Sequence, residues 1–175
     1  MNAIPRRPAG TRIRRMATCI AVACMAFASA PSEAVGQSAR ALVQEGNRLY
    51  QEGRFQEAHE KYMQAMAESP DSPVIPFNAG NALYQDADYR RAMEAYQEAI
   101  ASGDPELASD AWYNLGNALY RQQQLQPSLE AYKQALRLDP RDVDAKHNLE
   151  RVLQELQQQD QQQQQDQDSQ DDQQE

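Results

Sequence analysis

One spacing constrains this chain more than any other. Gly46, Gly80 and Gly116 are each followed by a Leu-Tyr pair, then a tyrosine, then an alanine at matching distances. The sets are Leu49–Tyr50, Tyr62 and Ala65; Leu83–Tyr84, Tyr96 and Ala99; and Leu119–Tyr120, Tyr132 and Ala135. Successive copies are offset by 34 and then 36 residues, the excess being Leu107 and Ala108. A self-similar period of about 34 residues marks an array of helix–turn–helix units, each too small to bury its apolar face alone.

Numbering each unit so that its glycine is position 8 gives repeats at 39–72, 73–106 and 109–142. Positions 8, 20 and 27 are small: Gly46, Ala58, Ala65; Gly80, Ala92, Ala99; Gly116, Ser128, Ala135. Two helices approach closely only over short side chains. A helical glycine costs about 1 kcal/mol relative to alanine, so its return at one offset indicates a packing need. Tyr62, Tyr96 and Tyr132 at position 24, with Trp112, are read as core. Within a repeat, helix A is expected near Ala39–Gln51 and helix B near Phe55–Glu68. Gly53 sits at the turn, and Asp71-Ser72 and then Ser109 or Asp110 are expected to cap the later A helices. Replacing Gly116 by leucine is expected to destabilise the array.

By these residues, and most fully over Ser109–Asp142 with Trp112, Leu115, Gly116, Tyr132, Ala135 and Pro140, the chain resembles the tetratricopeptide (TPR) family. The resemblance implies an all-α, right-handed solenoid of three repeats across 39–156, closed by a capping helix at 143–156. In that helix Ala145, Leu149, Val152, Leu153 and Leu156 form the apolar side, with Lys146, Glu150, Arg151 and Glu155 toward water.

The two ends read differently. Residues 1–36 hold five arginines and one acid, Glu33, and Met16–Ala30 is an uninterrupted run of apolar and small residues. That run is shorter than the roughly 20 residues of a membrane span, and the pattern is that of a secretory signal peptide. Ala34-Val35-Gly36 offers a cleavage site leaving Gln37 first; acylation at Cys24 and an uncleaved anchor are the alternatives. Export of this kind places the protein in the periplasm. Residues 157–175 contain 12 Gln, five Asp and no apolar residue, and are expected to be a disordered tail, with room for a few frayed helical turns at its start.

The formal charge is −9; without residues 1–36, 12 basic and 25 acidic residues remain. Such a balance disfavours nucleic acid and anionic membrane surfaces as partners. Cys19 and Cys24 lie in the leader, and His59 and His147 have no metal-ligand neighbours in sequence. No nucleophile elbow or phosphate loop is present, so no catalytic residue, metal or cofactor is expected.

The family resemblance implies a concave groove lined by positions 2, 5, 6, 9, 12 and 13 of the A helices. Position 9 is Asn47, Asn81 and Asn117; position 6 is Asn78 and Asn114, then Asn148 in the capping helix. Position 12 is Tyr50, Tyr84 and Tyr120, and position 5 includes Phe77, Tyr113 and His147. Asparagine is a poor helix former, so its recurrence needs a cause. Its amide can donate to and accept from a peptide backbone; the alternative is a tie between helices. On the first reading, alanine at position 9 leaves stability level or higher and weakens partner binding. The stripe turns basic at Arg121 and Arg151, while Val43 and Asp110 stand where arrays that clamp a C-terminal carboxylate carry basic residues.

Asp139–Gln159, running into the Gln-rich tail, resembles the repeat proteins of bacterial aerotolerance (Bat) operons. That implies a non-enzymatic periplasmic adaptor with a protein or peptide partner, such as a von Willebrand A-domain membrane protein. Two other readings stay open: an adaptor for periplasmic protein maturation of the cytochrome-c-biogenesis type, and a structural lipoprotein subunit of an outer-membrane assembly.

Overall fold

The computed structural model describes residues 38–101 and 103–171. The expected signal peptide, its cleavage site, both cysteines and residues 172–175 lie outside the described residues. Among the described residues there are seven helices and no strand. They are α1 (Ala39–Gln51), α2 (Phe55–Glu68), α3 (Val74–Gln85), α4 (Tyr89–Ala101), α5 (Pro105–Arg121), α6 (Leu125–Leu138) and α7 (Val143–Asp171). Each packs on its neighbours in sequence, and α3 also touches α1 and α5. The A helices (α1, α3, α5) thus form one layer and the B helices (α2, α4, α6) the other.

The recurring glycine has a direct cause. A Cβ on Gly46, Gly80 or Gly116 would lie 2.6, 2.7 or 2.6 Å from Cε1 of Tyr62, Tyr96 or Tyr132 respectively. Each hairpin is therefore closed by a tyrosine ring laid on a bare backbone. The three rings are essentially fully buried, as are Ala58, Ala65, Ala92, Ala99 and Ala135. In the third hairpin the buried Ser128 donates from Oγ to the Gly116 carbonyl at 2.8 Å, which satisfies a hydroxyl that has no water to turn to. Trp112 is half-buried against the middle cluster of the core.

The A-to-B turns share a second device. Gly53 adopts φ 75°, and the matching residues of the next two repeats, Ala87 and Gln123, adopt φ 62° and 56°. A left-handed residue after a helix lets the next N–H reach back to an orphan carbonyl. Here Arg54 N donates to Leu49 O at 2.9 Å, Asp88 N to Leu83 O at 2.9 Å and Gln124 N to Leu119 O at 3.0 Å. Only the first turn uses glycine to do it.

Three boundaries differ from expectation. Pro73, rather than Asp71 or Ser72, occupies the cap position of α3, without a side-chain cap bond. The cap of α5 is Asp104, not Ser109 or Asp110. Its carboxylate accepts from Glu106 N and Leu107 N, with Pro105 opening the helix. Leu107 and Ala108 are absorbed as extra helix, and Ser109 lies inside α5 donating to the Ala135 carbonyl at 3.2 Å. Finally, α7 runs past Leu156 to Asp171. Glutamine is a good helix former, so a helix already nucleated on the last repeat propagates without apolar contacts. Residues 157–167 are exposed throughout. Within the capping part, Ala145 and Val152 are fully buried, but Leu153 is 45% exposed and sits outside the apolar side assigned to it.

Candidate functional site

The asparagines at positions 6 and 9 form a ladder across the repeats. Burial pushes the Tyr62 and Tyr132 hydroxyls up to about 12, and pushes that of Tyr96 up as well. All three remain protonated donors at neutral pH. Tyr62 donates to Asn47 Oδ1 at 2.7 Å, Tyr96 to Asn81 Oδ1 at 3.0 Å and Tyr132 to Asn117 Oδ1 at 2.8 Å. The next repeat then adds a second donor to the same oxygen. Asn114 Nδ2 donates to Asn81 Oδ1 at 3.0 Å, and Asn148 Nδ2 to Asn117 Oδ1 at 3.0 Å and to the Tyr113 hydroxyl at 3.3 Å.

The position-9 asparagines are therefore ties between helices, and Asn81 and Asn117 also tie one repeat to the next. The expectation that alanine there leaves stability level is corrected on this ground. Such a change orphans a tyrosine hydroxyl whose ring is fully buried. The carbonyl of each amide is committed, which leaves its Nδ2 hydrogens for a partner. The signal was present in the sequence: each of these Asn-Tyr pairs is separated by 15 residues.

The rest of the stripe divides between lining and support. Asn47, Tyr50, Asn78 and Asn81 come together with Gln51 and Tyr62 around a pocket of about 250 Å³. Tyr120 and Arg121 line a second pocket, of about 390 Å³, with Glu155 and Gln159. Tyr50 packs edge-on against Phe55 and Tyr84 against Tyr89, at 5.4 and 5.3 Å between ring centres. Phe77 and Tyr113 lean on Tyr96 and Tyr132, at 6.1 and 6.0 Å, and brace the buried rings. His147 is exposed, and Asn148 is largely buried. Arg151 is not turned to water: its guanidinium lies 4.4 Å from the Tyr120 ring centre. Position 2 of the first repeat adds a further cation, the exposed Arg40.

Two larger clefts lie off this stripe, and no sequence pattern pointed to them. One, of about 670 Å³ between α2 and α4, is lined by Phe55, His59, Met63, Asp86 and Arg91 among others. Burial and Arg91, whose Nη2 is 3.2 Å from His59 Nε2, hold that imidazole below its usual range. The other, of about 680 Å³, includes Val74, Pro105, Asp110 and Leu138. Burial, with Asp142, Glu106 and Asp139 nearby, raises the Asp110 carboxyl. Among the described residues no group of three or more His, Cys, Asp or Glu side chains could hold a metal ion, and no helix is long and apolar enough to cross a membrane.

No curated protein matches the chain. Among solved structures it is similar to the first TPR domain of Spaghetti (RPAP3) bound to the HSP90 peptide SRMEEVD. That domain is 26% identical over 69% of this chain and 94% of that one, with a TM-score of 0.65. The first TPR domain of human RPAP3 is also 26% identical, over 69% of this chain and 94% of that one, with a TM-score of 0.64. The Sgt2 TPR domain from Aspergillus fumigatus, 23% identical over 70% of this chain and 82% of that one with a TM-score of 0.65, shares the fold. Two tetratricopeptide repeat models match residues 49–104 and 77–153, together more than half of the chain. With the same register carried by the glycine–tyrosine contact in every hairpin, the chain belongs to the tetratricopeptide repeat family.

Proposed function

We propose that this protein is a non-enzymatic interaction adaptor that holds an extended peptide or a partner helix along the face of α1, α3, α5 and α7. The observation that carries this is the row of position-9 amides. Tyrosine hydroxyls fix their carbonyls from behind, so each amide presents Nδ2–H donors at a spacing of one repeat. A fixed row of donors beside Tyr50, Tyr84 and Tyr120 suits the carbonyls and side chains of a partner segment, with little ordering cost on the adaptor's side. The similar Spaghetti (RPAP3) domain bound to an HSP90 peptide supports a peptide as ligand. The partner is read as an envelope protein, of the von Willebrand A-domain membrane class, in an aerotolerance or envelope-stress complex. That reading rests on the resemblance of Asp139–Gln159 and on residues 1–36 as an export signal.

The test is capture from crosslinked envelope extract. Gln51→Trp plugs the pocket between α1 and α3 from an exposed position and is expected to lower capture of the co-purifying partner at least tenfold. Glu94→Gln on α4, outside the groove, is expected to leave capture unchanged. Equal loss for both, or for neither, contradicts the groove as the docking face.

A further inference from the structure

We propose that the end of the groove formed by α5 and α7 seats an acidic side chain of the docked partner between Arg121 and Arg151, an assignment that rests on the groove being the docking face. The asparagine ladder changes character there. In α7, position 6 is still asparagine, and Asn148 makes the ladder's last rung to Asn117. Position 9 is Arg151, which brings a donor where the other repeats bring an acceptor. Its Nε is buried and has no hydrogen-bond partner, alone in this among the side-chain N and O atoms of the described residues. A buried donor left unpaired is costly, so this guanidinium carries a hydrogen-bonding demand that the chain itself does not meet.

Each of the two guanidinium groups is held against an aromatic ring. Arg151 lies over the Tyr120 ring and Arg121 over the Tyr89 ring, at 4.4 and 5.1 Å. Burial raises the Tyr84 hydroxyl while Arg121 opposes the rise, which puts that cation beside Tyr84 as well. None of the ion pairs among the described residues includes either arginine. This occurs in a chain of net charge −9, where acids are abundant. Glu155 lines the pocket beside Tyr120 and Arg121 but forms no ion pair with either arginine; its carboxylate accepts from the Tyr120 hydroxyl, which it pushes up. A guanidinium stacked on a ring keeps its N–H fork in one orientation, the geometry that a carboxylate meets with two oxygens. A backbone carbonyl would satisfy one N–H but neither charge. The pocket beside Tyr120 and Arg121 continues along α7 to Gln159, so a partner chain can run on past the arginines. That favours a side chain within the segment over a terminal carboxylate.

The probe is fluorescently labelled SRMEEVD, the peptide bound to the Spaghetti domain, with its C-terminus amidated, titrated with the full chain and read by anisotropy. The amidated acidic peptide is expected to bind. Kd is expected to weaken at least tenfold in Arg151→Gln and again in Arg121→Gln, and a peptide with both glutamates and the aspartate replaced by their amides should bind as weakly to the wild-type chain. Arg90→Gln, on the opposite layer, is expected to change nothing. Should Arg151→Gln fold poorly, Arg151→Lys keeps the charge, loses Nε and is expected to give an intermediate loss.

The arginine assignment is overturned if the acidic peptide binds both variants as it binds wild type, or if neither labelled peptide binds. Binding by the free acid alone would put a terminal carboxylate in the site and overturn the side-chain assignment. Loss of binding in Gln51→Trp with no loss in the arginine variants would leave the groove standing and remove only this inference. No loss in any of the three removes both.

Discussion

Asn81 is the residue whose replacement tests the ladder most sharply. Its Oδ1 accepts from Tyr96 at 3.0 Å and from Asn114 at 3.0 Å. Each bond is worth about 0.5–1.5 kcal/mol net, so Asn81→Ala forfeits about 1–3 kcal/mol. Alanine returns at most about 0.7 kcal/mol through helix propensity. The net expectation is a loss of about 0.3–2.3 kcal/mol, centred near 1.3, or several degrees in Tm for a domain of this size. Tyr96→Phe removes one of the two donors and is expected to cost about 0.5–1.5 kcal/mol. In the Asn81→Ala background the same change should cost almost nothing, because the hydroxyl has already lost its acceptor. A double-mutant cycle from urea unfolding, followed by far-UV circular dichroism, should therefore show a coupling of about 1 kcal/mol. Strict additivity, or an Asn81→Ala chain melting at or above wild type, would refute the tie between α3 and α4.

Gly116→Leu should lower stability by about 3 kcal/mol or more, read from the urea midpoint, because even a Cβ there meets the fixed Tyr132 ring at 2.6 Å. Gln123→Gly should raise stability by about 1 kcal/mol on the same assay, since Gln123 holds φ 56° where Gly53 stands in the first repeat. Alkali should unfold the protein through its buried tyrosines. The folded-state pKa of Tyr62 and Tyr132 is raised from 10.0 to about 12, so their contribution is complete below pH 10 and is lost as pH rises through 12. A stability curve flat across that window would contradict the burial of those hydroxyls.

The repeat register was legible because it is written in side-chain size. Gly46, Gly80 and Gly116 recur where a ring must touch backbone, and only glycine fits. The helix ends were less legible because several residues can perform a cap. Asp104 does so for α5, although Ser109 and Asp110 have the same chemistry further along, and Ala87 and Gln123 take a left-handed turn that composition alone would assign to glycine. Composition also understated α7: the absence of apolar residues after Leu156 removes packing, yet glutamine keeps a helix running once it has begun. At the site, periodicity brought the asparagines to one stripe but could not say which amide atom faces inward. That depended on the tyrosine hydroxyl 15 residues away. The packing of Arg151 was hidden for a related reason, because its surroundings are set by Tyr120 of the preceding repeat.

The claim that the partner docks on the concave stripe, rather than in the larger outer cleft between α2 and α4, is tested most directly by site-specific photocrosslinking. A benzophenone side chain is placed at Gln51 in the groove or at Gln64 in the outer cleft, two positions that line different pockets. After irradiation in envelope preparations, a discrete adduct from position 51 and none from position 64 is the predicted result. An adduct from position 64 alone would place the partner on the B-helix layer and contradict the account.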